Sequence, residues 1–147
     1  MTYKLQHIIL ADDDNDDCVF FKAALESIGF GNKLTTVNDG EQLMDYLIAN
    51  TEMLPDILFL DINMPRKNGF ECLKEIKNNN ALKQLPVIMF STTTAKVTME
   101  KTFDQGSHIY ICKPGSFKQL VQLIKHAIPI AEDQITTKSE LNYILNA

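Results

Sequence analysis

Arginine is almost missing from this chain. Arg66 is the single one among fourteen basic residues, which face nineteen acidic ones for a net charge of −5. A nucleic-acid surface needs clustered Lys and Arg, and arginine is the usual bidentate reader of phosphates and bases. Neither supply is present, and the lysines are scattered. Long apolar runs are missing too. None approaches the ~20 residues that span a bilayer, and the start, MTYKLQHIILADDD, meets acid before any secretion-type apolar region develops. A cytoplasmic protein is expected, with no nucleic-acid or membrane partner. Cys18, Cys72 and Cys112 are odd in number, far apart and without a CxxC pair, which predicts free thiols in a reducing compartment. His7, His108 and His126 show no HxxxH or HxH spacing, so no histidine metal site is expected. No G-x-G-x-x-G follows the first apolar run, which argues against a dinucleotide fold.

What the chain does have is alternation. HIILA (7–11), DILFL (56–60), PVIMF (86–90) and HIYIC (108–112) are short continuous apolar runs, and KLTTV (33–37) is a weaker β-branched one. Such runs suit strands buried on both faces of a parallel sheet. Between them lie helical stripes: Phe20, Phe21, Ala24, Leu25 and Ile28 before Gly29; Leu43, Met44, Leu47 and Ile48; Phe70, Leu73 and Ile76; Ala95, Met99 and Phe103 before Gly106; and Phe117 to Ile128 before Pro129. Proline is expected to stop that last helix. Five βα units predict a doubly wound α/β sheet in one domain, 1–128. A short tail, 129–147, follows. In it Leu141, Tyr143 and Ile144 form a helix-like stretch that Ser139 could cap, and it either docks on the body or contacts a partner. No output domain is expected.

In doubly wound sheets the reactive crevice lies beyond the carboxyl ends of the strands. There stand Asp12, Asp13 and Asp14 after the first strand, Asp61 after the third, Ser91 after the fourth and Lys113-Pro114 after the fifth. Carboxylates crowded into one small space call for a cation, and hard oxygen donors point to Mg²⁺. A lysine, a hydroxyl and a metal can together hold a phosphoryl group, and an aspartate can accept one as an aspartyl phosphate. Asp61, alone after its strand, is the best candidate. Asp14, Asp16 and Asp17 are read as caps and dipole partners of the first helix. Thr92 replaces Ser91 as the candidate hydroxyl if the fourth strand runs one residue longer.

FLDINMPRKNGFECL closely resembles the phosphoacceptor segment of bacterial response-regulator receiver domains. IILADDD, IMFS and YICKP resemble that family's acidic pair, its hydroxyl-ending strand and its Lys-Pro strand end. The resemblance covers roughly residues 5 to 128. It implies a flavodoxin-like (βα)5 fold with strand order 2-1-3-4-5. It implies that Asp61 takes a phosphoryl group from a sensor histidine kinase or phosphotransfer protein. Mg²⁺ would be held by Asp12, Asp13, Asp61 and the backbone carbonyl of Asn63. Lys113 would pair with Asp61 and then with the phosphate, Ser91 would move toward it, and Tyr110 would turn inward as an aromatic switch. Pro114 lies in a peptide the family often keeps cis. Thr92 stands where the family commonly has Ala or Gly, and Thr93 lies where the family tunes loss of phosphate, so the resemblance carries no lifetime for the phosphorylated state.

The function expected is that of a stand-alone, chemotaxis-regulator-like signalling module, of the single-domain type paired with phytochrome kinases. It would not be an enzyme beyond self-phosphorylation and slow self-dephosphorylation. It would signal to a downstream protein as a monomer or a phosphorylation-linked homodimer. The alternative is a small haloacid-dehalogenase-like Mg²⁺ phosphatase with its nucleophile in the Asp12–Asp14 cluster. An EF-hand beginning at Asp12 is excluded, because Asp17 and Ala23 stand where Gly and Glu are needed.

Overall fold

The computed structural model describes residues 6–31, 33–132 and 143–146. The elements alternate: β1 (His7–Ala11), α1 (Asn15–Ser27), β2 (Lys33–Val37), α2 (Gly40–Ala49), β3 (Ile57–Leu60), α3 (Gly69–Lys77), β4 (Val87–Ser91), α4 (Lys96–Asp104), β5 (Ile109–Cys112), α5 (Phe117–Glu132) and β6 (Ile144–Leu145). All neighbouring strands pair in parallel, in the order β2-β1-β3-β4-β5-β6. The expected doubly wound sheet with order 2-1-3-4-5 is present, extended by a short sixth strand.

Side-chain alternation along the strands divides the core in two. Ile8, Leu10, Ile57 and Phe59 face one layer, where they meet Phe21 and Leu25 of α1 and Ile124 and Ile128 of α5. Ile9, Ala11, Leu58 and Leu60 face the other, against Leu43 and Leu47 of α2 and Leu73 and Ile76 of α3. Phe21, Phe59 and Phe90 meet edge-on, with centroids 4.8 to 6.5 Å apart, an arrangement favoured by the ring quadrupoles. α4 is the least anchored helix. It buries only Met99 and Thr102, and its N-cap, Ala95, makes no side-chain cap bond. The threonines before it therefore do not cap it.

Two local expectations fail. α5 does not stop at Pro129 but runs on to Glu132 with the proline inside it. Pro129 is exposed, while Ile124, Ala127, Ile128 and Ala131 continue a fully or almost fully buried stripe on the opposite side. Sheet packing outweighs the one lost backbone bond. The helix-like reading of the tail holds at Tyr143, which is helical, and fails at Ile144, which with Leu145 forms β6 against β5. Edge pairing with the sheet ends the helix there. Ser139 and Leu141 lie outside the described residues. Among the described residues no helix is long and apolar enough to cross a membrane.

Replacing the exposed Pro129 by Ala restores a helix donor. Pro129→Ala should raise stability by about 1 kcal/mol, less than the ~3 kcal/mol of a helix centre because only the last turn is involved. Denaturant titration checks this, and a less stable variant would show that the proline suits its site.

Candidate functional site

The ladders continue one step past the strand ends and set the acidic residues on the rim. The Asp12 N–H donates to the Val37 carbonyl at 3.0 Å, and the Asp61 N–H to the Ala11 carbonyl at 2.9 Å. The Lys113 N–H donates to the Ser91 carbonyl at 2.8 Å, fixing the lysine beside β4. The loop after β3 is equally constrained. Asn68 caps α3 in a reciprocal capping box with Glu71, and the Gly69 N–H donates to the Ile62 carbonyl at 2.8 Å. A Cβ on Gly69 would lie 2.4 Å from the Asp61 carbonyl oxygen. Only glycine lets the start of the helix pass this close to the aspartate's backbone.

At the rim, the Lys113 ammonium lies 2.8 Å from Asp12 Oδ2, 2.8 Å from Asp17 Oδ2 and 3.4 Å from Asp61 Oδ2. Asp12 is fully buried and Asp61 is 6% exposed. The Asp61 carboxylate also accepts the Ile62 N–H at 2.8 Å. Asp12 Oδ2 is enclosed, with the Lys113 ammonium as its partner. The exposed Asp13 completes a trio in which one carboxylate oxygen each of Asp12, Asp13 and Asp61 lies within 4.8 Å of the others. Four carboxylates against one ammonium leave three negative charges uncompensated. An all-oxygen donor set with this excess of negative charge fits a hard divalent cation.

Burial raises the Asp61 carboxyl from 3.8 to about 6, with Lys113 opposing the shift and Asp12 reinforcing it. Burial raises Asp12 as well, against the pull of Lys113. Burial disfavours the charge of Lys113, but Asp12, Asp17 and Asp61 outweigh it and hold its pKa above the ordinary lysine value.

The fold thus brings Asp12, Asp13, Asp61 and Lys113 together. Asn63 lies two residues past Asp61 in the loop and is exposed. β4 ends one residue later than expected, at Ser91, which is the condition that favoured Thr92. The two hydroxyls differ in burial: Thr92 is exposed and Ser91 fully buried, its Oγ accepting the Thr93 N–H at 3.2 Å. Tyr110 is already inward. It is fully buried, and its hydroxyl donates to the Thr93 carbonyl at 2.8 Å; burial raises its pKa to about 12. No peptide bond among the described residues is cis, so Lys113–Pro114 is trans. Asp14 does cap α1, accepting the Asp16 and Asp17 N–H groups.

Asp17 is a first-turn acid of α1, as expected, but its contact with Lys113 escaped sequence reasoning. It lies four positions before Phe21 and so on the inward face of α1, which carries its acid to Lys113. Cys18, Cys72 and Cys112 are all free. Beside the rim, a cleft of about 220 Å³ is lined by Asp17, Phe20, Phe90, Lys113, Pro114 and Phe117.

Residues 8–125 match the Response regulator receiver domain family. The chain belongs to this family of two-component signalling proteins. It is 31% identical to the phosphorylated cyanobacterial phytochrome response regulator RcpA, with a TM-score of 0.80 over 92% of this chain and 99% of that one. Against the Mn²⁺-bound form of response regulator Rcp1 the identity is 25% and the TM-score 0.78, over 91% of this chain and 99% of that one. Rcp1 of Synechocystis aligns over 122 residues at 27% identity, 80% of this chain and 83% of Rcp1. Protein RcaC of Microchaete diplosiphon is 36% identical over 117 residues, which is 80% of this chain but 17% of RcaC. Phosphorylation on aspartate is general for receiver domains, and the family binds Mg²⁺ or Mn²⁺ at its acidic pocket.

The raised Asp61 carboxyl sets a pH dependence. Between 3.8 and about 6 the folded chain holds a proton that the unfolded chain has lost, so rising pH through that window removes stability. In metal-free buffer Asp61→Asn should be about 2 kcal/mol more stable than wild type at pH 7.5, with the difference vanishing below pH 4. Paired denaturation curves at the two pH values test this, and an equal gap at both would contradict it.

Proposed function

We propose that the chain is a receiver module whose Asp61 accepts a phosphoryl group from a phosphohistidine on a sensor kinase or phosphotransfer protein. The observation that carries this reading is the Lys113 ammonium held between the buried Asp12 and Asp61 carboxylates, with Asp13 alongside. Asp12, Asp13 and Asp61 would hold Mg²⁺, with the Asn63 carbonyl as a further oxygen donor. When bound, the ion neutralises charge on the phosphoryl oxygens.

Asp61 attacks phosphorus through a carboxylate oxygen. The P–N bond breaks, and the departing imidazole keeps the electron pair and takes up a proton. Lys113 slides from Asp12 and Asp17 onto a phosphoryl oxygen, and the Ser91 hydroxyl donates to another. That hydroxyl now accepts the Thr93 amide, whose carbonyl holds Tyr110, so its movement is felt at the switch residue.

The exposed Phe20 and Phe117 line the cleft beside Lys113 and suit an apolar surface on the phosphodonor. The acidic balance and the free thiols support a cytoplasmic setting. Output is a contact with a downstream protein. No feature of the site favours a phosphatase with its nucleophile among Asp12–Asp14. Asp12 is buried against Lys113, and Asp14 is committed to its cap.

Intact mass after incubation with acetyl phosphate tests the proposal. Wild type should gain one phosphoryl group only when Mg²⁺ is present, and Asp61→Asn none. An adduct that survives in Asp61→Asn would move the acceptor elsewhere. Lys113→Ala should keep metal binding while losing the response downstream, and a normally signalling variant would contradict the role given to that lysine.

A further inference from the structure

Tyr143, next to the sixth strand, is packed against the switch residue. It is 3% exposed, and its hydroxyl bonds Thr102 Oγ1 at 2.7 Å and also Ser107 Oγ, both buried. Thr102 already donates its one hydroxyl proton to the Met99 carbonyl. Tyr143 therefore donates to Thr102 and accepts from Ser107. Its ring stands edge-on to Phe103 at 5.1 Å and tilted against Tyr110 at 6.3 Å. Ile144 pairs with Tyr110 and Leu145 with Ile111, closing the open edge of β5.

A continuous path results. The ring of Tyr143 packs on Tyr110, Tyr110 holds the Thr93 carbonyl, and the Thr93 amide holds Ser91 Oγ. Tyr143 thus backs the ring whose hydroxyl makes the Thr93 contact. The helix under this contact is the weakly anchored α4, which Tyr143 touches at Thr102 and Phe103.

We propose that the segment 143–145 is a built-in ligand of the α4–β5 face, that it holds Tyr110 inward, and that its seating and the phosphorylation of Asp61 strengthen one another. This rests on the reading of Asp61 as phosphoacceptor. Tyr143 is then a positioning residue, acting through Tyr110 and Thr93 on Ser91. Coupling between two sites is reciprocal, so each event must report the other.

The experiment follows amide hydrogen exchange of the full chain under excess acetyl phosphate and Mg²⁺, with intact mass recording phosphorylation. Exchange at Ile144 and Leu145 should slow at least threefold in phosphorylated wild type and stay unchanged in Asp61→Asn, while the start of β2, at the opposite edge of the sheet, is unaffected. In the reverse direction, Tyr143→Ala should weaken binding of the phosphoryl mimic beryllofluoride about fivefold, a coupling at the lower end of the usual range. Tyr143→Phe, which keeps the ring, should fall between the two. A wild type that is phosphorylated yet shows unaltered exchange at 144–145 overturns the inference and leaves the Asp61 reading standing, as does unchanged beryllofluoride affinity in Tyr143→Ala. A wild type that takes no phosphoryl group overturns both.

Discussion

The arrangement depends on the balance of one ammonium against several carboxylates at the carboxyl end of the sheet. Lys113 reaches Asp12, Asp17 and Asp61 together, and that contact allows two buried acids to stand side by side. The compensation is incomplete. Burial still lifts both Asp12 and Asp61 above the ordinary carboxylate range, so the site keeps an affinity for further positive charge. An acid pair that was fully neutralised would have little use for a cation, and removing the lysine would raise both carboxyls further.

The fold supplies this balance through backbone bonds that continue past the strand ends, and through Gly69, whose missing side chain lets α3 start against the Asp61 carbonyl. The acidic rim lies on central strands of the sheet, while Tyr110 lies on β5, toward the edge that the last strand covers. The two regions share one sheet but differ in how firmly they are packed. The strands around Asp61 are buried on both faces, whereas α4 is held by two buried residues and by Tyr143.

Much of this was legible in the residues alone. Continuous apolar runs located four of the five main strands to within a residue at each end, because a strand covered on both sides admits little else; the half-exposed β2 was read from its β-branched residues. The rim residues followed from topology, since a doubly wound sheet gathers its strand ends. What escaped was whatever a local rule decided and a distant contact reversed. Pro129 reads as a stop, yet the stripe Ile124–Ala131 carries the helix past it. Asp17 is a first-turn acid of α1, as its position reads, but its place four residues before Phe21 also turns it inward to Lys113. Ile144 reads as part of a helix-like stretch, yet it pairs with Tyr110, more than thirty positions earlier. Ser91 and Thr92 differ in burial, which the residues alone do not show.

Divalent-ion titration tests the central claim most directly, with Mg²⁺ or Mn²⁺ added to wild type and to Asp12→Asn and binding followed by heat. The uncompensated carboxylates predict one ion per chain, bound more weakly at pH 5 than at pH 8 because protons compete for Asp12 and Asp61, and lost or strongly weakened in Asp12→Asn. Binding indifferent to pH and to that substitution would place the ion elsewhere and contradict the account of the site.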